Sequence, residues 1–197
     1  MKSLVHMIRH HFGLDAAHTQ TTTVERKCIQ KYVVEAKTAV ELGVYEGVTT
    51  TLIRESMKTD GVLYAVDPFF PGRVGVCWGK MVAKTEIARG RGATVVFVEK
   101  LSTEAASEVP IQIDFIFIDA DHSYDGIRKD WELWAGRVRE GGMALLHDTR
   151  IPAHNPDVAR LGSFRYFEEV IRFDKRYELL EQVDSLSVLR RTYSESH

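Results

Sequence analysis

Five short apolar runs constrain this chain more than any other feature: Thr38–Val44, Val62–Asp67, Thr94–Val98, Ile113–Asp119 and Met143–His147. Each is rich in Val, Ile, Phe or Leu on nearly consecutive positions. That is the pattern of strands buried on both faces. Helical patterns mostly separate them, and such alternation predicts an α/β fold with a parallel sheet covered on both sides. One helix is expected over Thr49–Met57. Another is expected over Asp125–Val138, where Ile127, Trp131, Trp134 and Val138 share a face and Gly141-Gly142 then stops the helix. Val24–Val34 puts Val24, Cys28 and Tyr32 on one stripe, and Ser163–Phe173 aligns Phe164, Phe167 and Ile171. Two closely spaced runs, Tyr177–Gln182 and Leu186–Arg190, predict an antiparallel pair at one sheet edge.

A chain of 197 residues fits one domain with small additions. We divide it into an N-terminal helical segment, 1–36, and a main domain, 37–197. The net charge is −2 and both signs are mixed along the chain. No basic face is expected, and hence no nucleic-acid partner. Cys28 and Cys77 are the two cysteines, too few for a disulfide framework. No apolar stretch approaches the length of a membrane span, and the start, MKSLVHMIRHHFG, makes a poor signal peptide. A cytoplasmic location without a membrane partner is the expectation.

Function enters at Glu41-Leu42-Gly43-Val44-Tyr45-Glu46-Gly47, which joins the first strand to the first core helix. Gly43 permits a tight turn and Gly47 a close approach at the helix start. The pattern E-x-G-x-x-x-G is neither the dinucleotide fingerprint nor a triphosphate loop. An acid at position 41 suits a cationic group. Asp67 ends the second strand, where an acid can accept hydrogen bonds from ribose hydroxyls. A nucleoside that carries an amino acid, S-adenosylmethionine, satisfies both; an NAD site and a purely structural turn are the alternatives.

VELGVYEGVTT, VDPF and FIFIDADHSYDGIRKDWELWAGRVREGGMALLHDT resemble class I S-adenosylmethionine-dependent methyltransferases. The resemblance is to the group with macrolide-sugar and cephalosporin-biosynthesis O-methyltransferases. It covers about residues 38–150. It implies a Rossmann-like, doubly wound seven-stranded sheet, five strands parallel plus an antiparallel edge pair. It also implies cofactor contacts from Glu41, Gly43, Tyr45, Gly47, Asp67 and Asp119, with Ser102 near the adenine. Ser102 reads equally as a helix N-cap.

Asp119 and Asp148 end adjacent strands, about 4.8 Å apart. Two such carboxylates repel unless a cation lies between them. Oxygen ligands suit Mg²⁺, and the resemblance implies Mg²⁺ at these positions. The third ligand departs from the family pattern: this chain has His147 before Asp148 and Thr149 after it. The expected metal set is Asp119, His147 and Asp148, with Mn²⁺ as the softer choice. By the resemblance, His122 stands where relatives carry a catalytic Lys or His, and imidazole can act as a general base near neutral pH; a loop histidine that caps a turn is the alternative.

The expected reaction is methyl transfer to a hydroxyl of a small molecule or sugar. Rival readings are a metal-independent methyltransferase that uses His122 alone, a metal-dependent phosphatase, and a non-catalytic cofactor-binding protein. Phe69–Lys80 reads as a lid, and Arg150–Arg160, with Pro152 and His154, as an acceptor-pocket wall; both also read as ordinary connections. Met1–Val34 reads as a dimer arm, giving a homodimer, or as a lid over the cofactor. His10, His11, His18 and His197 read as surface residues.

Overall fold

The computed structural model describes residues 2–72 and 75–193. The strands are β1 (Thr38–Leu42), β2 (Val62–Val66), β3 (Thr94–Val98), β4 (Ile113–Ile118), β5 (Val138–Leu146), β6 (Tyr177–Val183) and β7 (Leu186–Arg191). They form one sheet in the order β3-β2-β1-β4-β5-β7-β6. The first five run parallel, and β7 is antiparallel to both β5 and β6. The expected architecture is the observed one.

The helices are α1 (Lys2–His11), α2 (Thr23–Val33), α3 (Val48–Ser56), α4 (Trp78–Arg89), α5 (Ser102–Ala105), α6 (Tyr124–Trp134) and α7 (Gly162–Glu169). Side-chain alternation sends successive strand residues to opposite faces. Val40, Leu42, Ile116 and Ile118 pack with Ile127, Trp131 and Trp134 of α6 and Phe167 of α7. Ala39, Phe115 and Phe117 pack on the other face with Cys28, Ile29 and Val33 of α2 and Ile53 of α3. Both faces of β1 and β4 are therefore dry, which explains why they read as continuous apolar runs; β3, at the sheet edge, departs from the expectation, with Thr94 and Val96 exposed.

Local chemistry sets the helix starts. Thr22 and Glu25 form a reciprocal capping box at α2, and the Ser123 hydroxyl accepts the Gly126 amide at α6. Two expectations fail on periodicity. In α2 the buried residues are Glu25, Cys28, Ile29 and Val33, while Val24 is exposed. Gly141-Gly142 does not end a helix: α6 stops at Trp134, and the glycines lie inside β5. There the register against β4 shifts between Ile113 and Phe115. A Cβ on Gly142 would lie 2.8 Å from the Arg139 carbonyl oxygen. The glycines make a bulge, not a cap.

Helix α1 packs against α4. His10 is buried there, with Nε2 2.9 Å from Glu86 Oε2, so the surface reading of that residue is corrected. His197 lies outside the described residues, as do two residues, 73 and 74, of the lid candidate. Among the described residues, no helix is long and apolar enough to cross a membrane.

Candidate active site

Strand order reverses between β1 and β4, and a crevice opens beyond their carboxyl ends, where ligands bind in open α/β sheets. A cavity of about 300 Å³ occupies it. Gly43 and Tyr45 after β1, Asp67 after β2, and Asp119 after β4 all line it. A second cavity, about 450 Å³, is lined by His147, Asp148, Pro152, His154 and Asn155. His122 and Gln20 line both.

The β1–α3 loop is held in a costly conformation. Gly43 has φ 91° and Gly47 φ 81°, and Tyr45, with a side chain, has φ 53°. Left-handed backbone at a bulky residue costs on the order of 1–3 kcal/mol and persists only where its surroundings enforce it. Asp67 supplies that enforcement. Its Oδ2 accepts the amides of Val44 (2.9 Å) and Tyr45 (3.2 Å), and its Oδ1 that of Phe69 (2.7 Å). A carboxylate offers about four acceptor positions, so roughly one remains for a ligand hydroxyl. Gly43 also sits against β4: a Cβ there would fall 2.1 Å from the Asp119 carbonyl oxygen.

The other sequence-named residues divide sharply. Gly47 packs on Ala83 at the start of α3 and does not face the cavity. Glu41 lies in the core below the loop, fully buried, and accepts the Thr50 hydroxyl at 2.5 Å. Burial pushes its carboxyl well above the usual range; Thr50 opposes this, and Asp119 and Asp67 add to it. Its Oε1 is buried without a hydrogen-bond partner among the described residues, and Glu41 does not line the cavity. Ser102 starts α5, but Leu101 holds the N-cap position. The Ser102 hydroxyl donates to Asp130, away from the cavity.

At the β4–β5 boundary the residue beside Asp119 is His147. Its Nδ1 lies 3.1 Å from Asp119 Oδ1, and its Nε2 lies 3.4 Å from Glu25 Oε2. Burial disfavours its charge, but Asp119, Glu25 and Asp148 outweigh burial and raise its pKa to about 11. Glu25 is likewise penalised by burial. His147, the Thr22 amide and Ser185 nevertheless hold its pKa down to about 2. His147 Nδ1 also lies 3.6 Å from Asp148 Oδ1, so its imidazole stands beside both carboxylates.

A different set of donors converges. Oxygen and nitrogen atoms of Asp119, His122 and Asp148 lie within 4.8 Å of one another. His122 Nε2 is 3.8 Å from Asp119, and Nδ1 is 3.7 Å from Asp148. Asp148, at φ 53°, is turned into this position.

No local pattern marks His18, Thr19, Gln20 and Thr21, which line the first cavity. They belong to the segment between α1 and α2 that passes over the β1–α3 loop. Of the two readings of the N-terminal segment, these contacts accord with the cover over the ligand cavity.

This fold and site define a class: an α/β enzyme of nucleotide-binding type with its ligand crevice at the β1/β4 switch. A family model described as a methyltransferase domain matches residues 40–149, more than half the chain. The chain belongs to that family, which bears out the resemblance read from its strands and loops. A relative, an uncharacterised protein of Acanthamoeba polyphaga mimivirus, is 27% identical over 142 residues. That match covers 66% of this chain and 62% of the relative's length. Among solved structures, an O-methyltransferase from Bacillus cereus in complex with SAH is similar, with a TM-score of 0.60 and 17% identity. The match covers 97% of this chain and 91% of that one. The N-methyltransferase NodS from Bradyrhizobium japonicum is also similar, with a TM-score of 0.61 and 13% identity. That match covers 86% of this chain and 95% of NodS. Oxygen and nitrogen methyltransferases share this fold, so the acceptor atom must be argued from the site.

Proposed function

We propose that this protein is an S-adenosylmethionine-dependent O-methyltransferase acting on a hydroxyl of a small molecule or sugar. The observation that carries the reading is the position of His122, the histidine common to the cavity beyond β1, β2 and β4 and to the cavity beside Asp148. In this reading the first cavity takes the cofactor and the second the acceptor.

S-adenosylmethionine supplies an electrophilic methyl group when bound. Asp67 offers its remaining acceptor capacity to the ribose, and the Gly43–Tyr45 backbone walls the cavity beside it. His122 takes the acceptor's hydroxyl proton, a task suited to imidazole near neutral pH. Asp148 lies 3.7 Å from its Nδ1 and orients the ring. The strap 18–21 excludes water from above. Positioning two reactants in adjoining cavities supplies the proximity term.

A second reading is favoured by the converging donors Asp119, His122 and Asp148. Two carboxylates and one imidazole suit Mn²⁺, and Mg²⁺ less well. Such an ion would lower the acceptor hydroxyl's pKa and orient it. His122 cannot serve as ligand and base through the same lone pair, so the two readings separate experimentally. Transfer of labelled methyl groups to a panel of hydroxylated small molecules is measured with and without chelator. In the first reading chelator leaves the rate within about twofold, and His122→Gln lowers it about 100-fold or more. Loss of rate on chelation and recovery with Mn²⁺ identifies the second. Transfer only to amines overturns the hydroxyl assignment.

A further inference from the structure

A second group of metal-binding side chains lies away from the β4–β5 centre. His6 on α1, His18 on the strap and Glu46 on the β1–α3 loop bring donor atoms within 4.8 Å of one another. His6 Nε2 is 3.1 Å from Glu46 Oε2, and His18 Nδ1 is 3.2 Å from Glu46 Oε1. Around a tetrahedral Zn²⁺, ligand arms of roughly 2.1 Å put neighbouring donors on the order of 3.4 Å apart. The two histidine–Glu46 contacts already stand close to that spacing.

Glu46 Oε2 also accepts the His18 backbone amide at 2.6 Å, so the carboxylate is held where the strap and α1 meet. The imidazole rings of His6 and His18 are stacked, with centroids 4.1 Å apart and planes 20° apart. The outer groups also fit. His6 Nδ1 faces Asp15 Oδ2 at 3.5 Å, which favours the tautomer with the lone pair on Nε2, toward Glu46. Arg9 Nε holds both Asp15 oxygens at 3.0 Å. A carboxylate behind a ligating histidine is the usual way a protein orients such a ring.

We infer that His6, His18 and Glu46 form a binding site for Zn²⁺ or a similar first-row divalent ion, with Asp15 orienting His6. The fourth position opens on a cavity of about 290 Å³ that Trp78 lines. The ion ties three separate segments together. His18 and Tyr45 line both this cavity and the one beyond β1, β2 and β4. An ion here therefore fixes the strap in its closed position. The site does not depend on the methyltransferase reading.

The test is calorimetric titration of the full chain with Zn²⁺, followed by Co²⁺ absorption and tryptophan fluorescence. The expected result is a Zn²⁺ event that persists in the Asp119→Asn/Asp148→Asn variant. It weakens about 100-fold or more in His6→Ala and about 10-fold in Asp15→Asn. Bound Co²⁺ should show the strong visible absorption of a four-coordinate ion and quench Trp78. Trp78→Phe should remove the quench and keep the affinity. Circular dichroism establishes that His6→Ala is folded. If the double variant does not fold, the comparison of wild type with folded His6→Ala decides alone. Unchanged Zn²⁺ affinity in folded His6→Ala, or no Zn²⁺ binding by the wild type, overturns the site.

Discussion

His147 sets its Nδ1 3.1 Å from Asp119 Oδ1, so that a charged imidazole neutralises the carboxylate beside it. The same ring reaches Glu25, which is buried under the β6–β7 turn and accepts the Ser185 amide at 2.9 Å. Removing the imidazole leaves Glu25 without its counterion. Loss of one partner of a buried pair costs about 3–5 kcal/mol. His147→Ala should therefore lower the stability measured by urea unfolding by about that amount. A change below 1 kcal/mol would show that the pair does not hold this region.

Asp130 predicts a pH dependence. Burial raises its carboxyl to about 6 from 3.8, against the hydrogen bond from Ser102, with a smaller push from Asp121. The folded state then binds the proton more tightly than the unfolded chain does. The stability this proton contributes is present below about pH 4 and is lost as pH rises toward 6. Asp130→Asn keeps an acceptor for Ser102 and removes the titration. Its unfolding free energy should match wild type near pH 4 and exceed it by up to about 3 kcal/mol at pH 7. Parallel curves for the two proteins would contradict the placement.

Glu41 and Asp67 should separate in ligand binding. Glu41 is buried and accepts the Thr50 hydroxyl, whereas Asp67 organises the loop and faces the cavity. Glu41→Gln should leave the dissociation constant for S-adenosylmethionine within about threefold. Asp67→Ala should weaken binding about 10- to 100-fold, the range for hydrogen bonds to a charged group. Equal losses would return Glu41 to the binding site.

Gly43 has no room for a methyl group. A Cβ would meet the Asp119 carbonyl oxygen at 2.1 Å, on a backbone at φ 91°. Gly43→Ala should cost about 3 kcal/mol or more through overpacking and backbone strain together. Thermal unfolding reads this directly.

Much of the fold was legible because its central strands β1 and β4 are buried on both faces and read as consecutive apolar residues; β3 reads the same way, yet it is an edge strand with Thr94 and Val96 exposed. Gly141-Gly142 misled because a helix stop and a strand bulge use the same residue type; the partner strand decides between them. The full burial of Glu41 was not legible in the loop pattern that singled it out. Alternation with Ala39 sends it into the α2–α3 core. The contact of His147 with Glu25 has no local sign, because Glu25 lies on a helix far away in sequence. The strap 18–21 and the His6–His18–Glu46 group were invisible for the same reason: they join segments that meet only in three dimensions.

The most direct measurement is calorimetric titration of S-adenosylmethionine into the wild-type chain, with NAD as the control. The account predicts one site per chain for S-adenosylmethionine, no heat from NAD, and a rise in unfolding temperature with the first ligand alone. No binding of S-adenosylmethionine, or binding of NAD in its place, would contradict the proposed function.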